Sequence, residues 1–183
     1  MTDQSFIQKL KTVESVELVT ALTHNDLNDL CDATDAAIKG GGGFGWINIP
    51  SREILERYWQ GVVTMPLRLL FVGRLDGVIC ATAQVILPPS NNEAQKHAVK
   101  LTTNFTVPWA RGQGISGKLL QKVEETVREK GYKVINLGVR ETQETAIKFY
   151  EKHGFKLVGI HPFYAEVDEK PVAGRHYYKI LQE

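Results

Sequence analysis

The hydrophobic rhythm of this chain changes several times, and each change marks an expected element. VELVTAL at 16–22 has the dense apolar character of a strand, and Thr23 followed by Asp26 gives the S/T-x-x-D/E spacing of a helix start. Leu27, Leu30, Cys31, Thr34, Ala37 and Ile38 then recur at helical spacing and predict one buried face. Glycines at 40–43 end that helix in a permissive loop. After FGWINIP a second helix is expected, capped by Ser51, with Ile54, Leu55, Tyr58, Trp59 and Val62 as its apolar stripe.

From Leu67 the period shortens to two. LRLLFVGRL, the Asp76-Gly77 pair and VICATAQVIL predict two strands joined by a two-residue turn. Pro88 and Pro89 close that hairpin, and LTTNFTV at 101–107 predicts a strand leading into RGQGISG at 111–117. The next helix turns Leu119, Leu120, Val123 and Val127 inward and ends at Gly131. VINLGV is then a strand, and a helix capped by Thr142 aligns Ala146, Phe149, Tyr150 and His153 on one face. FKLVGI and RHYYKIL make two last strands around a turn near VDEKPVAG. Strand, helix, helix, three strands, helix, strand, helix, strand, strand is an α/β (α+β) order, which predicts a mixed sheet flanked by helices.

Composition narrows the function without naming it. The 183 residues show no repeat or break, so a lead at 1–15 and a single domain at 16–183 are expected. A formal net charge of +1 supplies no electrostatic footprint for nucleic acid. Cys31 and Cys80 stand alone and read as reduced structural thiols, with no metal site. No apolar run reaches the roughly 18 residues of a membrane span and the first residues lack a leader pattern, so a cytoplasmic protein without a membrane partner is expected.

The glycine turn carries the candidate chemistry. Glycines at 112, 114 and 117 between a strand and a helix suit an anion, because backbone N–H groups and the helix dipole converge there. By pattern alone three ligands compete. Gly112, Gly114 and Gly117 satisfy the dinucleotide GxGxxG, but that fold needs successive parallel units and hairpins flank this turn. Gly117-Lys118 approaches the triphosphate loop, but Leu119 stands where a metal-binding hydroxyl is required.

Arg111 to Gly117, with the strand before it and AIKFYEKHGFKLVG at 146–159 one strand later, resembles the GNAT acetyltransferase superfamily and its acetyl-CoA motif [QR]-x-x-G-x-[GA]. Arg111 and Gly114 match, while Ser116 occupies the final small position. The resemblance implies a mostly antiparallel sheet whose two central strands splay apart, and acetyl-CoA as co-substrate. Arg111, Gly112, Gln113, Gly114, Ile115, Ser116 and Gly117 would hold its pyrophosphate, and backbone groups of Phe105, Thr106 and Val107 would pair with its pantetheine arm. Gln143 stands where many members place an asparagine near that arm, and Tyr150 where the superfamily places the acid that protonates the leaving thiolate.

The same resemblance leaves the base open, since the usual glutamate position holds Lys100. Asn104, polar in a normally apolar strand, is the second catalytic candidate, able to orient an amine through its donor and acceptor. Glu53, Glu56, Glu93 and Glu141 remain possible carboxylates, and His97 and His161 rank below Tyr150. Phe44, Trp46, Phe163 and Tyr164 suit an acceptor pocket. The implied activity is acetyl transfer to the primary amine of a small molecule or amino-acid-like acceptor, by a monomer or homodimer, with a non-catalytic CoA-binding module as the rival.

Overall fold

The computed structural model describes residues 12–42 and 45–181, so most of the expected lead at 1–15 and the aromatic Phe44 lie outside the described residues. The elements are β1 (Glu14–Val19), α1 (His24–Lys39), α2 (Arg52–Thr64), β2 (Arg68–Leu75), β3 (Val78–Ile86), β4 (Ala98–Thr106), α3 (Ile115–Glu129), β5 (Val134–Arg140), α4 (Glu144–Lys152), β6 (Lys156–Val167) and β7 (Lys170–Ile180). Short 3-10 turns occur at Glu93–Gln95 and Pro108–Ala110. The order of strands and helices follows the changes of hydrophobic period. One seven-stranded sheet runs β1-β2-β3-β4-β5-β7-β6, and every neighbouring pair is antiparallel except β4 with β5.

Alternation along the strands sorts side chains into two cores. Leu70 and Val72 of β2 pack with Leu30, Leu55 and Trp59 of α1 and α2. Phe71, between them, turns to the larger core that contains Val123 of α3 and Tyr150 of α4. Trp59 is fully buried and its Nε1 donates to Thr34 Oγ1 at 3.1 Å, while that hydroxyl donates to Leu30 O at 2.7 Å. The indole thereby docks α2 on α1 with its polar atom satisfied.

The first helix begins as its sequence predicts. Asp26 N donates to Thr23 Oγ1 and Thr23 N to Asp26 Oδ2, at 3.1 and 3.0 Å. Arg74 of β2 also reaches Asp26 at 2.7 Å and Glu17 of β1 at 2.7 Å. Burial alone would raise the Asp26 carboxyl, but the Thr23 amide and the Arg74 guanidinium outweigh it and hold it below its ordinary value. A depressed carboxyl contributes stability above its unfolded pKa near ~3.9, and this is lost as pH falls through the folded value. Asp26→Asn should therefore cost about 1–3 kcal/mol at neutral pH, with the gap from wild type narrowing below pH ~4. Urea midpoints at both pH values check this.

Several boundaries differ from the sequence reading. The first strand is Glu14–Val19, because the chain turns at 20–22 to present the Thr23 cap. Ser51 sits at the α2 N-cap without a side-chain bond, and Arg52 anchors that end instead, through Asp32 and the Asn28 side chain of α1. Ile54 is exposed, so the buried stripe of α2 narrows to Leu55, Trp59 and Val62. Thr142 is not a cap either, since α4 starts at Glu144 after Gln143. The last turn is only Asp168 and Glu169, both with positive φ, 50° and 59°. Pro171 is tolerated within β7 because it lies beyond Gly174, where pairing with β5 ends, so its missing N–H breaks no bond on that side.

Candidate active site

The site begins with a fault in β4. Val99 and Leu101 point into the α3/α4 core, and strict alternation would send Thr103 and Phe105 after them. Thr103 instead takes φ 47°, its carbonyl accepts from Thr82 Oγ1 at 2.9 Å, and the register slips between Thr82 opposite Phe105 and Gln84 opposite Thr102. This bulge reverses the phase of the strand. Asn104 now reaches α4, and Thr106 reaches α3, where its Oγ1 lies 2.7 Å from Ser116 Oγ.

Asn104 Nδ2 donates to the Tyr150 hydroxyl at 2.9 Å, so the two catalytic candidates meet, and Asn104 lines the same cavity as the tyrosine. Tyr150 is buried, with Phe149 and Phe155 edge-on to its ring. Burial pushes its phenol up to about 12, and the Asn104 amide pulls weakly the other way. The phenol therefore stays protonated far above neutrality. The amide occupies the acceptor side of the phenol oxygen, and the O–H proton remains available to donate.

β4 and β5 pair only from Ala98 with Val134 to Lys100 with Asn136. Beyond that they diverge, and a cavity of about 700 Å³ opens between Leu101–Thr106 and Leu137–Arg140, with Tyr150 in its wall. This is the splay that the resemblance implied. Arg111 and Ser116 also line the cavity, at the glycine turn. Gly112 and Gly114 have φ of 78° and 84°, and a Cβ at either would meet no atom within 4 Å. Glycine is required there by backbone conformation, and the space above the turn and the start of α3 is open to an anion.

The other predicted cofactor residues divide by position. Arg111 Nε donates to Thr106 O at 3.2 Å, which folds the guanidinium back along β4. Ile115 is a core residue against Gly73, so only its backbone belongs to the turn. Gly117 lies in the first turn of α3 beside His153, and Gln113 is exposed with its amide on Trp109 O at 3.4 Å. Phe105 and Thr106 line the wedge, but Val107 does not. Its N–H is committed to Cys80 O at 2.9 Å and its carbonyl to Ala110 N at 3.1 Å, which removes it from the groups able to pair with a ligand. Gln143 lines the cavity and donates to Gly41 O at 2.8 Å, and Arg140, which the sequence did not single out, donates to Gly42 O at 2.9 Å.

None of the carboxylates weighed from sequence lines this cavity. Glu53 and Glu56 pair with Arg57 and Arg52, Glu141 pairs with Arg175, and Glu93 sits on the 3-10 turn. The lining carboxylates among the described residues are Glu144 and Glu166. His161 accepts the Phe163 N–H on its own strand at 3.0 Å, and neither it nor His97 faces the wedge. Phe163 is exposed and Trp46 packs edge-on to Tyr58, so among the described residues Tyr164 is the expected acceptor aromatic that reaches the cavity. Among the described residues no cluster of three or more His, Cys, Asp or Glu side chains could hold a metal, and no helix is long and apolar enough to cross a membrane.

An uncharacterized N-acetyltransferase of Azospirillum brasilense is 59% identical over 107 residues, 58% of this chain, and the chain spans 64% of that protein's length, under two thirds. In three dimensions the chain is similar to an N-acetyltransferase from Staphylococcus aureus Mu50, with TM-score 0.77 and 19% identity over 93% of this chain and 99% of that one. It is also similar to a Salmonella typhimurium protein described as an acetyltransferase and solved with its cofactor acetyl-CoA, with TM-score 0.75 and 14% identity over 93% and 95% of the two chains. At such identities the structural likeness is one of fold. The sequence model of the acetyltransferase (GNAT) family matches residues 43–155, more than half of the chain. The splayed wedge, the glycine turn and this match together place the chain in the GNAT acetyltransferase family, with that family's acetyl-CoA-binding fold.

Proposed function

We propose that the protein transfers the acetyl group of acetyl-CoA to the primary amine of a small molecule or amino-acid-like acceptor by direct attack. The observation that carries this reading is the Asn104–Tyr150 hydrogen bond inside the wedge. A buried, protonated phenol with its oxygen already engaged by an amide is built to give its proton, not to take one. The turn and wedge fit the co-substrate by the open cradle over Gly112 and Gly114. Arg111 and the first amides of α3 would hold its pyrophosphate, and Phe105 and Thr106 would line the pantetheine arm.

Bound acetyl-CoA supplies an activated acetyl thioester, whose carbonyl carbon the amine nitrogen attacks with loss of the thiolate. Tyr150 donates its O–H to the sulfur as negative charge develops there. A simple thiol titrates near ~8.5, well below the Tyr150 phenol at about 12, so complete transfer of the phenol proton to the thiolate is uphill, and Tyr150 serves the developing sulfur anion as a hydrogen-bond donor. That bond is charge-assisted, and the proton that the attacking amine loses ends on the thiolate, giving the amide and free CoA thiol. Of the two lining carboxylates, Glu166 stands on β6 two residues after Tyr164 and is the base candidate. Glu166→Gln should lower turnover at neutral pH with acetyl-CoA affinity kept, and unchanged turnover would remove it from that role.

Thiol release from acetyl-CoA, measured with and without a panel of primary amines, tests the reading. Acceptor-dependent release supports it, whereas tight binding of acetyl-CoA with no release under any acceptor leaves the binding module. Gly114→Ala tests the cradle separately. Alanine at φ 84° costs about 1–2 kcal/mol locally and puts a methyl group into the open space. Acetyl-CoA affinity by calorimetry should fall roughly 10-fold, the equivalent of about 1.4 kcal/mol. Unchanged affinity would detach the turn from the cofactor.

A further inference from the structure

The wedge has a second mouth, and one tyrosine is laid into it from two strands away. Between His161 opposite Gly174 and Ala165 opposite Val172, β6 slips against β7, and Tyr164 lies within the slip. Its ring crosses β7 where a Cβ on Gly174 would fall 2.1 Å from Tyr164 Cγ. Its hydroxyl ends over β5, where a Cβ on Gly138 would fall 2.7 Å from the oxygen. Neither glycine needs a positive φ. Their lack of a side chain is what admits the ring, and the His176 ring braces it edge-on at 5.4 Å between centroids.

Gly138 is two residues beyond Asn136, the last residue of β5 paired with β4, so the hydroxyl arrives on the part of β5 that the splay has freed. Arg140 follows two residues later on the same face. Leu137 and Val139, between them, point into the α3/α4 core, so Gly138 and Arg140 face the α1/α2 side, away from Tyr150. That side is closed by the glycine loop, whose Gly42 carbonyl takes an N–H of Arg140. The guanidinium is close enough to lower the Tyr164 phenol, although burial raises it more. Ala37 and Ile47 add apolar lining, and the remaining charges of the cavity are Arg111 at the cofactor turn and the carboxylates Glu144 and Glu166. A fixed cation and a phenol O–H converging on one mouth are the donor set that recognises a carboxylate.

We propose that Arg140 and Tyr164 bind the carboxylate of the acceptor, which makes the acceptor a small amino acid and not a plain alkyl amine or polyamine. The proposal rests on the acetyl-transfer reading above. Arg140 supplies the charge, Tyr164 supplies direction, and Gly138 with Gly174 positions Tyr164. The carboxylate is held on the face opposite the cofactor, and the amine is left to point through the wedge.

The test compares amino acids with their carboxamides and with the amines formed by removing the carboxylate, using acetyl-CoA and thiol release. The wild type should prefer the amino acids by about 10–100-fold in kcat/KM, the range expected for hydrogen bonds to a charged group. Tyr164→Phe should raise KM for amino acids about 10-fold with kcat nearly kept, and should change the amines that lack a carboxylate far less. Arg140→Gln should erase the preference, and Arg140→Lys should restore part of it. Because Arg140 also holds the glycine loop, Gly174→Ala provides an independent variant: it displaces Tyr164 and should reproduce the Tyr164→Phe result. If amines without a carboxylate react as well as amino acids, or if the variants lower both classes equally, the proposal is wrong and acetyl transfer stands. If acetyl-CoA binds but no amine of either class releases thiol, the transfer reading falls and takes the proposal with it.

Discussion

Tyr150→Phe should lower turnover by about 100-fold or more while acetyl-CoA affinity changes less than about threefold. The magnitude is that of losing a positioned proton donor, and the ring packing against Phe149 and Phe155 survives the substitution. Asn104 Nδ2 would lose its partner, at a stability cost of about 1 kcal/mol, too small to unfold the sheet. The pH dependence carries a second signature. The phenol is pushed up to about 12, so the tyrosinate absorbance that wild type has and the variant lacks should appear near pH 12, not pH 10. The sign for stability follows. Between the unfolded value near ~10 and the folded value of about 12, the unfolded chain releases this proton and the folded chain keeps it, so stability declines across that window. Turnover within a few-fold of wild type would remove Tyr150 from the chemistry.

Trp59→Ala should be the most damaging single change to the scaffold. The indole is fully buried and satisfied by Thr34, and truncation of a buried Trp costs about 3–5 kcal/mol. For a chain of 183 residues that corresponds to a melting temperature lower by roughly 10 °C or more, read by circular dichroism. The damage should be functional as well, because α1 and α2 support the glycine loop that closes the second mouth of the wedge. Trp59→Phe should recover most of the loss. A melting temperature shifted by less than about 2 °C in the alanine variant would mean that α2 is held by something other than this residue.

Element order was legible because it is written in period. Leu27, Leu30, Cys31, Thr34 and Ala37 can share a face only in a helix, and the Asp76-Gly77 turn with alternating neighbours can only be a hairpin. Caps were less legible. Thr23 and Asp26 satisfy one another, but Ser51 carries the same chemistry at a helix start and makes no cap bond, because Arg52 already ties that end to α1. The meeting of Asn104 with Tyr150 was beyond sequence reasoning, since it depends on a bulge at Thr103, a β-branched residue with φ 47° and no local signal of a left-handed turn. Val107 was misplaced by its neighbour in sequence: Thr106 opens on the wedge, while the next amide belongs to the β3 edge. Tyr164 was named as an acceptor aromatic, yet its reach to Gly138 depends on a slip in β6 and on two glycines, 138 on β5 and 174 on β7, that leave room for its ring.

The most direct test of the whole reading is a crystal structure with acetyl-CoA bound. The expected result has the pyrophosphate on the amides between Arg111 and Ser116, the pantetheine arm along the freed edge of β4, and the thioester sulfur within hydrogen-bond reach of the Tyr150 hydroxyl. Acetyl-CoA found outside the β4–β5 wedge, or lying in it with its sulfur away from Tyr150, would contradict it.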